Sequence, residues 1–245
     1  IYGANSVLEG IAASTSPQLE AAVRSAYSGE ALFVRAFSYF YLANFFGDVP
    51  LVLTSDYNKS RAMEKTPQAA VYEQMVRDLE EAIRLLPGDF TAGGGERVRP
   101  NKWAAAALLA RVQLFRGQWS AAAEQAGAVI GEGSFSLAAD PAGVFPKASK
   151  EAVWQLKQQL RKEPYNSNWE GVYFLPWAAI SGYPPEQLAD ILDPITFAGW
   201  SAVIVPAYYL TPQAASVFEP GDLRKLQWLD SVPTPAPPPY NGIPF

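Results

Sequence analysis

The chain has 245 residues, of which 49% are hydrophobic and 13% aromatic, enough apolar material for one large domain or two small ones with a sizeable core. A net charge of −5 argues against nucleic acid as the main partner, which needs a basic stripe. With no histidine and no cysteine, the commonest general base, the commonest metal ligand, thiol nucleophiles and disulfides are all excluded. The chain opens on Ile1 without a basic, then apolar, leader pattern, so a processed chain or a fragment is expected.

The first strong element is "GEALFVRAFSYFYLANFFGDVPLV", residues 29–52. Between Ala31 and Phe46 only Arg35, Ser38 and Asn44 are polar, and they share no helical face. A spanning helix needs about 20 apolar residues, and this run is shorter and carries an arginine. A helix that is apolar all round belongs in a core. Ser28 is expected to cap its start, Gly47 to occupy the left-handed position at its end, and Pro50 to prevent continuation. Arg35 reads as a buried, paired structural arginine.

A second helix is expected from Thr66-Pro67, with Thr66 as N-cap, to Leu86. Its apolar positions Tyr72, Met75, Val76, Leu79, Ile83 and Leu86 are spaced by three and four. The following "TAGGGERVRP" reads as a flexible loop. It lacks the Gly-Lys-Ser/Thr ending of a phosphate-binding loop.

Asn101 opens a further helix, Gly117 turns the chain, and Ser120 is expected to cap a return helix to about Ile130. In this pair Ala110 and Ala122 permit close approach and Trp119 fills the gap. That grammar is the tetratricopeptide pattern of helix–turn–helix repeats. The units 31–86 and 103–130 therefore predict a mostly α, tetratricopeptide-like array, with Trp103, Trp119 and Trp154 in the core.

After Gly133 the periodicity fades. "EAVWQLKQQL" (151–160) fits a strand or a short helix. Residues 162–200 are rich in Pro, Gly, Asn and aromatic residues, a composition that suits a functional loop better than a disordered one. Asp190 and Asp193 have a spacing common by chance and make a weak glycosidase pair. Trp200 fits a packed turn. "LTPQAASVFEPGDLRKLQWL" predicts a capped helix, a turn at Pro220-Gly221 and another helical piece. The tail "VPTPAPPPYNGIPF" predicts polyproline-like extension. Asp48 and Asp222 read as turn caps or partners of arginines.

The segments "GEALFVRAFSYFYLANFFGDVPLV", "VYEQMVRDLEEAIRLLP", "RPNKWAAAALLARVQLFRGQWSAAAEQAGAVI" and "VFEPGDLRK" together resemble the SusD/RagB family in order and spacing, over nearly the whole chain. The resemblance implies a single SusD-like domain over 1–245, with a helical part at 1–135 and an irregular, loop-rich part at 136–245. It implies a non-catalytic lipoprotein on the extracellular face of the outer membrane that binds oligosaccharide and passes it to a SusC-like TonB-dependent transporter. No cofactor and no metal are implied. Relatives begin with a signal peptide and a lipid-bearing cysteine and continue into late helices. This chain shows neither, so it is expected to be a fragment lacking both ends.

The expected ligand platform is Tyr165, Trp169, Tyr173, Trp177 and Tyr183, within a stretch broken by Pro164, Gly171, Pro176, Gly182 and Pro184. Flat rings cover the apolar C–H faces of sugars while their polar tips stay wet. The alternative is a tetratricopeptide-like scaffold that binds peptide or protein, including RagB-like peptide uptake.

Overall fold

A computed structural model describes residues 1–157 and 210–229. Contacts divide the chain into two compact units, one of residues 1–137 and 146–156, the other of residues 138–145 and 157–245. Among the described residues the secondary structure is helical, with one isolated antiparallel bridge, Val49–Thr66.

In the first unit, α1 (Tyr2–Ala13), α2 (Ala21–Phe46), α4 (Gln68–Leu85), α5 (Lys102–Phe115) and α6 (Trp119–Gly131) each pack on the next. A single turn, α3 (Tyr57–Ser60), lies in the long connection between α2 and α4. The expected helix–turn–helix array is present: α2 with α4, then α5 with α6. Its core gathers Phe33, Ala36, Tyr39 and Ala43 from α2 with Val71, Met75, Leu79 and Ala82 from α4, and Ala105, Leu109 and Val112 from α5. Those α4 positions recur at three and four because that spacing lays them along one face.

The element starts differ from the sequence expectation. Helix α2 begins ten residues before Ala31, so Ser28 lies inside it and caps nothing. The N-terminus of α4 is capped from a distance: Asp48 Oδ1 accepts from the Gln68 N–H at 2.8 Å, while Thr66 is occupied by its bridge to Val49. Ser120 lies in the first turn of α6, where its side chain caps nothing. Asn101 does cap α5, accepting from Trp103 and Ala104 at 3.1 and 3.0 Å.

Three packing expectations are corrected as well. Trp119 is 67% exposed and fills no gap; it lies over Gly117, whose positive φ makes the turn. Ala110 is half-buried, and the small residues enclosed on α5 are Ala104, Ala105 and Ala106. Residues 151–157 form neither strand nor helix, yet Val153 and Trp154 pack on the core. The Trp154 ring meets Phe33 and Phe37 edge-on at 5.1 and 5.3 Å.

In the second unit, Thr211 caps a one-turn helix, Pro212–Ala215. Gly221 turns the chain at φ 85°, and Asp222 caps Leu223–Trp228, as the sequence predicts.

Candidate functional site

The segment 29–50 has the most distinctive sequence pattern, and its residues act on the scaffold. A Cβ on Gly29 would lie 2.7 Å from Leu86 Cγ and 3.2 Å from Leu85 Cβ, so glycine lets α2 approach the end of α4. Glu30 pairs with Arg99 at 2.5 Å, and the same guanidinium stands over the Tyr27 ring at 5.4 Å. The hydrogen bond that Arg99 donates to Glu30 is the main reason the Arg99 pKa is raised further, against the opposing effect of burial.

Arg35 and Asp78 form a buried bidentate pair, with Nε to Oδ2 at 2.8 Å and Nη2 to Oδ1 at 2.7 Å. Arg35 Nη1 donates to Asn5 Oδ1 at 3.1 Å, and Asn5 Nδ2 donates to the carbonyls of Val52 and Thr54. One polar node thus joins α1, α2, α4 and the connection after α2. The expectation of a paired structural arginine holds.

The end of the motif continues this wiring. Gly47 closes α2 at φ 69°, which allows Asp48 to reach α4. The Tyr39 hydroxyl accepts from the Val52 N–H at 2.6 Å and lies 3.1 Å from the Val52 carbonyl oxygen. Burial pushes the Tyr39 phenol up, as it does that of Tyr72. Glu9 accepts from Thr54 Oγ1 at 2.8 Å and from the backbone and hydroxyl of Ser55; these bonds, Ser55 first, hold its carboxyl below the ordinary range.

The glycine-rich connection is anchored rather than free. The rings of Phe90 and Phe135 meet edge-on at 6.2 Å, and the Arg97 guanidinium stands over both, 4.5 and 4.9 Å from their centroids. The same guanidinium donates to the carbonyls of Ala152 and Ser134, both at 2.9 Å. Sequence reasoning missed this clasp; a basic residue in an otherwise small, polar loop is its only trace.

One exposed surface could take part in recognition. Along α2 the rings of Phe37, Tyr41 and Phe45 follow one another with centroids 5.0 and 6.0 Å apart, and Phe40 meets Phe115 of α5 at 5.0 Å. The last turn is uncovered, with Phe45 74% and Phe46 69% exposed, so α2 is not buried all round as its composition suggests. The predicted platform residues Tyr165, Trp169, Tyr173, Trp177 and Tyr183 lie outside the described residues, as do Asp190, Asp193 and Trp200. Among the described residues no group of three or more acidic side chains is placed to hold a metal ion, and no helix is long and apolar enough to cross a membrane.

Comparison with known proteins matches this scaffold. The family model for SusD-like proteins, described as starch-binding and associating with the outer membrane, matches residues 1–114. SusD-like protein P2 of Formosa agariphila is 40% identical over 95 residues, 38% of this chain and 18% of that protein. A SusD-like carbohydrate binding protein from Bacteroides fragilis superposes with a TM-score of 0.56 and 29% identity, over 62% of this chain and 30% of the other. A laminarin binding SusD-like protein gives a TM-score of 0.53 and 26% identity, over 59% and 32%. This chain therefore spans less than half the length of each of these relatives. The matched stretch holds α1 to α4, nearly all of α5 and the whole 29–50 motif that wires them together: over residues 1–114 the chain is similar to the SusD-like family.

Proposed function

We propose that this chain is part of a non-catalytic oligosaccharide-binding protein at the outer membrane. The observation that carries the reading is the likeness of the chain, over 62% and 59% of its length, to two structures described as carbohydrate binding and laminarin binding, at 29% and 26% identity. The helical unit acts as scaffold, because the residues of its most distinctive motif hold helices together. Sugar contact is assigned to the ring-rich stretch 165–183, with Trp169, Tyr173, Trp177, Tyr183 and Tyr165 as the platform. A few sugar faces stacked on such rings, at about 25 cal/mol per Å², give micromolar-to-millimolar dissociation constants after ordering costs, roughly −8 to −4 kcal/mol. Binding without turnover fits a chain that has neither histidine nor cysteine.

The complete protein is proposed to be lipid-anchored on the extracellular face and to deliver its glycan to a SusC-like TonB-dependent transporter. The exposed rings of Tyr41, Phe45, Phe46 and Phe115 offer an apolar surface for such a protein contact. The same rings support the second reading, a tetratricopeptide-like scaffold for peptide or protein, including RagB-like peptide uptake. Affinity gel electrophoresis with soluble starch and with laminarin tests the first reading. Retardation of the chain by either polysaccharide is expected. Unretarded migration on both, together with capture of a peptide library, would favour the second.

A further inference from the structure

Arg97 does more than occupy a loop. The carbonyls it binds, Ser134 and Ala152, are the two feet of the excursion that runs through residues 135–151. Further bonds close the same stem: Ser136 N–H to the Lys150 carbonyl at 3.2 Å, Gln155 N–H to the Arg97 carbonyl at 2.8 Å, and Trp154 Nε1–H to the Val98 carbonyl at 3.3 Å. The tip of the excursion, 138–145, belongs to the second unit. There it holds the Asp222-capped helix, with Trp228 Nε1–H donating to the Pro141 carbonyl at 3.0 Å and Gln227 Oε1 accepting from the Ala142 N–H at 2.9 Å. Phe145 meets the Trp228 ring at 5.4 Å.

We propose that Arg97 is a latch, and that residues 134–152 open and close as one local unit, independently of α2 and α4, when its guanidinium leaves the two ring faces. Three features support this. One planar fork serves both feet, so losing it releases both at once. The excursion carries few buried apolar side chains: within 135–151 Ser149 is the one buried residue, whereas α2 and α4 bury apolar faces from Ala31 to Ala43 and from Val71 to Ala82. Regions of that kind form the low-stability cooperative units of a fold. The charge is held by ring faces and carbonyls, and a cation over two ring faces is bound by their quadrupoles as well as by contact. Lysine keeps the charge but lacks the fork, so Arg97→Lys separates the two contributions. The inference does not depend on what the chain binds.

Hydrogen–deuterium exchange on the whole chain, read by mass spectrometry, tests it. Arg97→Lys is expected to speed exchange in 134–152 by about tenfold or more, the effect of losing a charge-assisted hydrogen bond, with α2 and α4 unchanged. Phe135→Leu, which keeps both donated bonds, is expected to give a smaller acceleration confined to the same peptides. Unaltered exchange in Arg97→Lys, or equal acceleration of every peptide in both variants, would overturn the latch. Should Arg97→Lys fail to fold, urea titration of the parent decides. Amides of 134–152 exchanging below the global unfolding free energy support the proposal, and merging with those of α2 overturns it.

Discussion

Two arginines in the first unit are held by opposite chemistry. Arg35 lies inside the helical array on a carboxylate, Asp78, with both side chains nearly sealed from solvent. Arg97 lies in a loop, over two ring faces and donating to two backbone carbonyls. The first ties four segments into one core, so its loss should be felt globally. The second closes one excursion, so its loss should be felt locally. The contrast teaches that a structural arginine is not one kind of element: its partners decide how far its removal reaches.

The largest effect that would sharpen this contrast is expected from Asp78→Ala. It leaves the Arg35 charge buried and unpaired, and a cost of about 3–5 kcal/mol in global stability is expected from chemical denaturation. Arg35→Met combined with Asp78→Leu removes both charges and should recover most of that loss. A double variant as unstable as Asp78→Ala would show that the pair is needed for more than mutual neutralisation. Next comes Gly29→Ala, which drives a methyl group into Leu86 and should cost about 1–3 kcal/mol by overpacking. Asn101→Ala removes the α5 cap and should cost about 1 kcal/mol.

The smallest effect is the pH response, and it separates periphery from core. The Glu9 carboxyl is lowered in the fold, so the stabilisation it gives is present above the ordinary carboxylate range and is lost as pH falls through its folded value. Glu9→Gln should remove that acid-side component. The phenols of Tyr39 and Tyr72 are raised, so their contribution is complete below the ordinary tyrosine range and disappears as pH rises through the folded values. Tyr39→Phe should shift the alkaline limb of the melting curve and leave the acid limb in place.

Much of the helical unit was legible because its constraints repeat. The three-and-four spacing from Tyr72 to Leu86 exposes the buried face of α4, and an arginine in an apolar helix predicts a partner. Caps were legible only where the capping side chain stands beside the helix in sequence. Asn101 does; Asp48 caps a helix twenty residues away, so local chemistry pointed to Thr66 instead. Trp119 was misread because an aromatic in a periodic segment normally packs inward, whereas this one stands in the first turn of α6, over Gly117. The Arg97 clasp has no period at all: its four partners are spread from Phe90 to Ala152 and meet only in the folded chain. The candidate site rests on composition alone: the rings of 165–183 lie outside the described residues, and composition names residues without fixing their arrangement.

The central claim is a division of labour, with helices as scaffold and the ring-rich stretch as glycan contact. Affinity electrophoresis in gels containing starch or laminarin, run on Trp169→Ala, Trp177→Ala and Phe45→Ser beside the parent, tests it most directly when each variant's melting temperature is also recorded. The account predicts that both tryptophan variants lose retardation with little change in melting temperature, while Phe45→Ser is retarded like the parent. Retention in both tryptophan variants, or loss in Phe45→Ser alone, would contradict it.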